Sequence, residues 1–118
     1  MSTSVQGCKA DTMGLGPIGA TQKALARAKL SINEIDIVEL NEAFASQSLA
    51  CIKDLKIDPS KVNLDGGALA LGHPLGATGA RITGKVAQLL KRENKKYALA
   101  SQCIGLGMGI ATIIESVD

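Results

Sequence analysis

Three side chains that can move protons or hold a polarised carbonyl stand at breaks in the hydrophobic pattern: Asn41, His73 and Cys103. His73 is the only histidine and lies in a segment, 65–79, that holds five glycines and one proline. Pro74 restricts the His73 backbone to extended angles, and a helix is expected directly after it. A neutral imidazole at such a helix start can act as a base or donate a hydrogen bond to an oxyanion. Cys103 enters Cys-Ile-Gly-Leu-Gly-Met-Gly, where Gly105 and Gly107 let a ligand approach backbone N–H groups that can cradle an oxyanion. Asn41 follows a buried strand and can hold a water or a substrate carbonyl. Each residue also has a plainer use. A lone loop histidine can be a surface group, a cysteine a small buried hydrophobe, and an asparagine after a strand a helix cap. Cys51, on a helix face with Phe44 and Leu55, reads as core; Cys8, in a polar stretch, reads as an exposed thiol.

The elements that must position these residues follow from periodicity. Pro17 suits a helix first turn, and Ile18, Thr21, Leu25 and Ala28 form one stripe, so a helix is predicted over 17–29. Residues 35–40 are rich in β-branched types and read as a buried strand. A helix over 42–55 follows, then a break at Asp58-Pro59 and a very short strand at Val62. A long helix over about 77–93 carries Ile82, Val86, Leu89 and Leu90 on its buried face. Residues 97–103 and 110–115 read as two strands joined by a glycine turn, an antiparallel pair. Residues 1–13 show no trustworthy strand; the stretch around Val5 is short and polar. The order predicts a layered α/β fold. In open sheets of that kind, strand ends gather at one edge, where ligands bind.

Composition narrows the function classes. The chain has 118 residues, 46% of them hydrophobic and 20% charged, which suits one folded domain of residues 1–118. A net charge of +2, with no Trp, one Tyr and one Phe, gives nucleic acid neither a basic patch nor a stacking platform. No apolar run approaches the ~18 residues of a membrane span. The N-terminus lacks a secretory pattern and the C-terminus a peroxisomal one, so a cytoplasmic protein is expected. Three widely spaced cysteines form neither a disulfide framework nor a metal site. Gly14-Leu15-Gly16-Pro17-Ile18-Gly19 matches a dinucleotide fingerprint but lacks a convincing strand before it. Gly79 to Lys85 resembles a P-loop, but Val86 stands where Ser or Thr would bind magnesium and the segment lies within a helical pattern.

Three blocks resemble the C-terminal half of the thiolases: Asn41-Glu42-Ala43-Phe44-Ala45, the run Gly66 to Arg81, and Cys103-Ile104-Gly105-Leu106-Gly107-Met108-Gly109. Met13-Gly14-Leu15-Gly16-Pro17 fits the segment before the first helix. The resemblance covers about residues 10–116. It implies a layered mixed sheet with helices on its faces, and acyl transfer between coenzyme A thioesters, which act as substrates with no tightly bound cofactor. By matching motif, His73 would deprotonate a nucleophilic cysteine and help form an oxyanion hole. Asn41 would hold the water that completes that hole. Cys103 would move the proton at the substrate α-carbon, and the N–H of Gly105 would serve a second oxyanion hole, with Gly107 in the substrate-binding loop.

The sequence departs from the family in four places. Members are about three times as long, and the first half carries the nucleophilic cysteine and most of the coenzyme A contacts. Cys8 lacks the small-residue helix start that follows that nucleophile. The first strand looks cut short, and Leu106 replaces a frequent glycine. The resemblance therefore implies half an active site, inactive without an N-terminal half. An apolar helix face is expected to associate with that half or with a second copy. A non-catalytic module that binds a partner or an acyl-CoA is the alternative.

Overall fold

The computed structural model describes residues 1–117. Four strands form one mixed sheet: β1 (Ser2–Gly7), β2 (Ile37–Leu40), β3 (Tyr97–Ile104) and β4 (Met108–Glu115), in the order β1-β4-β3-β2. β4 runs antiparallel to both β1 and β3, and β2 runs parallel to β3. Val62 adds a parallel bridge to Val38 beyond β2, the short strand expected there. Helix α1 (Gly16–Ala28) and helix α2 (Ala45–Leu55) cover one face. Their Ala20, Ala24, Leu25, Cys51 and Leu55 pack with Val38, Leu40, Leu99, Ala111 and Ile113. The alternate residues of the same strands, Ile37, Ala98 and Ala100, face helix α4 (Leu75–Arg92) and its Ile82, Val86, Leu89 and Leu90. The strand period of two thus splits the apolar residues into two layers. Truncating fully buried Leu89 to Ala would cost about 2–5 kcal/mol.

The predicted helix over 17–29 and the antiparallel pair are present, and the helix over 77–93 begins two residues earlier. Two expectations need correction. The polar stretch around Val5 is strand β1, paired with β4 from Ser2↔Ile113 to Gly7↔Met108. Its inward side chains are serines, whose hydroxyls donate to α1 carbonyls: Ser2 Oγ to Ala24 O at 2.7 Å and Ser4 Oγ to Ala20 O at 2.5 Å. The strand is therefore held to the helix without an apolar signature. The long glycine segment is also not all loop, since it holds a one-turn helix, α3 (Ala68–Leu71).

The dinucleotide-like glycines have a packing role. A strand does precede them, but a 3-10 turn (Ala10–Leu15) separates β1 from α1. A Cβ on Gly109 would overlap the Gly16 backbone, and one on Gly16 would overlap that of Met108 and Gly109. The two glycines let α1 touch β4 backbone to backbone. Gly109→Ala is expected to destabilise the chain by about 2 kcal/mol, a drop of roughly 10 °C in Tm, read by thermal unfolding. An unchanged midpoint would contradict this contact.

Candidate active site

The ends of β2 and β3 and the entry to α4 converge, as the strand-end rule requires. Asn41 extends β2 by one residue, its N–H donating to Ser101 O at 2.9 Å. It is 1% exposed. It does not cap α2, whose N-cap is Phe44 with no side-chain bond to the helix. Instead the Asn41 Nδ2 lies 3.3 Å from His73 Nε2. The other ring nitrogen, Nδ1, lies 2.7 Å from Thr78 Oγ1, and that hydroxyl donates to Pro74 O at 3.1 Å.

With the Thr78 hydroxyl on Pro74 O, a neutral ring satisfies every contact when Nδ1–H donates to Thr78 Oγ1 and Nε2 accepts from Asn41 Nδ2. Asn41 Oδ1 is buried and has no partner among the described residues. A buried amide oxygen of this kind calls for a water or ligand donor.

His73 lines a cavity of about 550 Å³ together with Cys103 and Gly105. Cys103 is 8% exposed, and burial pushes its thiol pKa up, so it carries its proton at neutral pH. Cys51 is also buried and raised by desolvation, but its sulfur is engaged with Gln47 and with Gly14 O; it is core, as expected. Gly107 does not line the cavity. Its φ is +69°, and its carbonyl accepts the Cys8 N–H at 2.8 Å, which fastens the β3–β4 turn to the N-terminal segment. Asn41, His73, Cys103 and Gly105 are therefore brought together, and Gly107 supports the turn behind them.

Sequence reasoning missed several residues here. Met13, Phe44 and Leu75 supply apolar walls, and Gln102 a polar one. Phe44 was expected on the buried face of α2 with Cys51 and Leu55. The helix begins at Ala45, three residues after its expected start, and Phe44, extended at φ −145° and 61% exposed, turns to the cavity. Thr78, fully buried, orients the imidazole; its only signal was its place in the first turn after His73. Among the described residues, no three His, Cys, Asp or Glu side chains gather as a metal site, and no helix is long and apolar enough to cross a membrane.

Residues 1–116 match the family described as Thiolase, C-terminal domain. The chain belongs to the thiolase family. It is 60% identical to a 3-ketoacyl-CoA thiolase of Alcanivorax borkumensis, covering 98% of this chain and 30% of that protein. A second 3-ketoacyl-CoA thiolase, from Aeromonas salmonicida, is 56% identical over 98% of the chain and 31% of its own length. Among solved structures, human mitochondrial 3-ketoacyl-CoA thiolase in complex with CoA superposes with a TM-score of 0.98 at 50% identity, over 100% of this chain and 30% of the human one. Bacillus anthracis acetyl-CoA acetyltransferase gives 0.96 at 44% identity, over 98% and 29%. This thiolase domain therefore spans about 30% of the length of the relatives it matches. The expected fold, a layered mixed sheet of the thiolase C-terminal half, is the one observed.

Proposed function

We propose that this chain, taken as one C-terminal domain of residues 1–118, supplies the proton-moving half of an acyltransferase that splits 3-ketoacyl-CoA with coenzyme A or runs the reverse condensation. The observation that carries the reading is the His73 imidazole, held between Asn41 and Thr78, in one cavity with a protonated, buried Cys103. In the degradative direction, His73 Nε2 accepts the proton of a nucleophilic cysteine held by an N-terminal half. That thiolate adds to the 3-keto carbon, and the bond between C2 and C3 breaks with its electron pair left on C2. The Cys103 Sγ–H protonates C2, which releases acetyl-CoA. Coenzyme A then gives its thiol proton to Cys103 and attacks the acyl-cysteine, which releases the shortened acyl-CoA. His73 Nε2–H, now a donor, and a water on Asn41 hold the developing oxyanion; the Gly105 N–H serves the second one.

The reading needs a partner half, and the surface suits one. Leu75 is 84% exposed and lines the cavity with the open Phe44, and Leu69 and Leu71 of α3 are exposed as well. An exposed apolar helix face was expected, and the outer side of α4 carries the small residues Gly76, Ala80, Gly84 and Ala87, which permit close helix approach. Clustered apolar exposure of this kind is rarely left bare. The three cysteines are free, which suits a reducing compartment such as the cytoplasm. By itself the chain is then inactive, and its acyl-CoA site is incomplete. The test is titration of the chain with the N-terminal 70% of the Alcanivorax borkumensis relative, followed by light scattering. A stoichiometric complex is expected. Two species that stay separate at all concentrations would overturn the partner assignment.

A further inference from the structure

The contact between Asn41 and His73 joins two separate elements, the end of β2 and the glycine segment before α4. Both neighbours of Asn41 are fastened, Leu40 to Asn63 just ahead of that segment and Glu42 to Asn63 and to the segment itself. On one side, the Asn63 side chain pairs with Leu40 as a peptide group would: Leu40 N–H donates to Asn63 Oδ1 at 3.0 Å, and Asn63 Nδ2 donates to Leu40 O at 3.0 Å. The Asn63 N–H donates to Val38 O at 2.8 Å, and its φ of +50° aims the side chain back at the strand. Asparagine tolerates that left-handed angle better than most residues. On the other side, Glu42 Oε1 accepts from Asn63 Nδ2 at 3.0 Å, and Glu42 Oε2 accepts the Leu69 N–H at 2.9 Å. A Cβ on Gly67 would overlap the Glu42 carboxylate, so the segment closes over that group with no room to spare.

We infer that Glu42 and Asn63 are positioning residues: a carboxylate–amide brace that sets the distance between the Asn41 amide and the His73 imidazole. Neither side chain lines the cavity, so both act through Asn41 and His73. The brace uses both oxygens of Glu42 as acceptors from two donors. A glutamine would place an N–H against one of them. The charge matters as well, since hydrogen bonds to a carboxylate are about twice as strong as neutral ones. The inference deepens the proposed function, but its test needs no turnover, so the two can fail separately.

The test uses nuclear magnetic resonance on the full 118-residue chain, in which His73 is the only imidazole. In the wild type, a nuclear Overhauser effect (NOE) is expected between the Asn41 side-chain NH2 and a His73 ring proton. The Leu69 amide should be protected from hydrogen exchange although the Leu69 side chain is 66% exposed. Glu42→Gln should abolish the NOE and speed Leu69 exchange at least ~10-fold, the equivalent of one charge-assisted bond, with the remaining amide spectrum folded. Asp65→Asn is the control. Asp65 starts the same segment but binds Arg92 and Lys85, so this variant should cost some stability and leave the NOE in place. A folded Glu42→Gln chain with the wild-type NOE would overturn the inference, as would loss of the NOE in Asp65→Asn. If Glu42→Gln does not fold, the wild-type Leu69 amide decides: protection supports the brace, and exchange at the rate of an open peptide refutes it.

Discussion

Replacing Cys103 by alanine in the complex with an N-terminal half lowers kcat for thiolysis by about 10²–10⁴-fold, the range that a placed acid–base group contributes. The KM for 3-ketoacyl-CoA stays nearly unchanged, because the thiol moves a proton and does not grip the substrate. Cys103 is buried at the end of β3 and faces the same cavity as His73. Desolvation raises its pKa, so it holds a proton to give to carbon. Cys51 is also buried but is turned into the α1–α2 core, and Cys51→Ala should leave kcat within a factor of about two while costing some stability. Steady-state kinetics of the two variants separate a reacting thiol from a packing one. Retained turnover in Cys103→Ala would remove the proton-transfer role.

Glu39→Gln makes the chain more stable at pH 8 than the wild type, by up to about 3 kcal/mol, with the difference vanishing near pH 4. Glu39 is 1% exposed, on the face of β2 that meets α4. Burial pushes its pKa up to about 7, against the pull of Arg81 and Lys85. Neither cation forms an ion pair with it, and one carboxylate oxygen has no partner among the described residues. The sign follows from proton counting. Between about pH 4.5 and 7 the unfolded chain has released a proton that the folded chain still holds. The folded state binds more protons there, so this group's contribution to stability falls as pH rises. Glutamine mimics the protonated acid and removes the fall. Urea unfolding of both proteins at pH 5 and pH 8 isolates the group, since the other acids cancel in the difference. A variant less stable than the wild type at pH 8 would mean that Glu39 is ionised and well paired with Arg81.

Much of this architecture was legible because apolar periodicity marks elements that bury a stripe. α1, α4 and the β3–β4 pair all do so, and each lies within two residues of its expected place. β1 was illegible for the opposite reason. Its inward positions are Ser2 and Ser4, which bind helix carbonyls, while Val5 faces outward at 42% exposure. Hydrogen bonds to a helix 16 and 22 residues away leave no trace in local pattern.

The candidate site divides in the same way. Asn41, His73 and Cys103 announced themselves through residue type and glycine context. The residues that hold them in place did not. Thr78, Asn63 and Glu42 are ordinary polar residues whose roles depend on partners brought together by the fold. Phe44 misled because helical periodicity runs through it, while the helix begins at Ala45. The dinucleotide-like glycines resolved into a backbone contact between α1 and β4, which a sequence pattern cannot distinguish from a phosphate cradle.

The central claim is that this chain completes a thiolase site. The most direct test mixes the purified 118-residue chain with the N-terminal 70% of the Alcanivorax borkumensis 3-ketoacyl-CoA thiolase and follows cleavage of a 3-ketoacyl-CoA by coenzyme A. Neither piece alone should cleave it, and the mixture should show saturable thiolysis that is lost when His73 is changed to alanine. Thiolysis by the chain alone, or a stable complex of the two pieces that binds 3-ketoacyl-CoA without cleaving it, would contradict the claim.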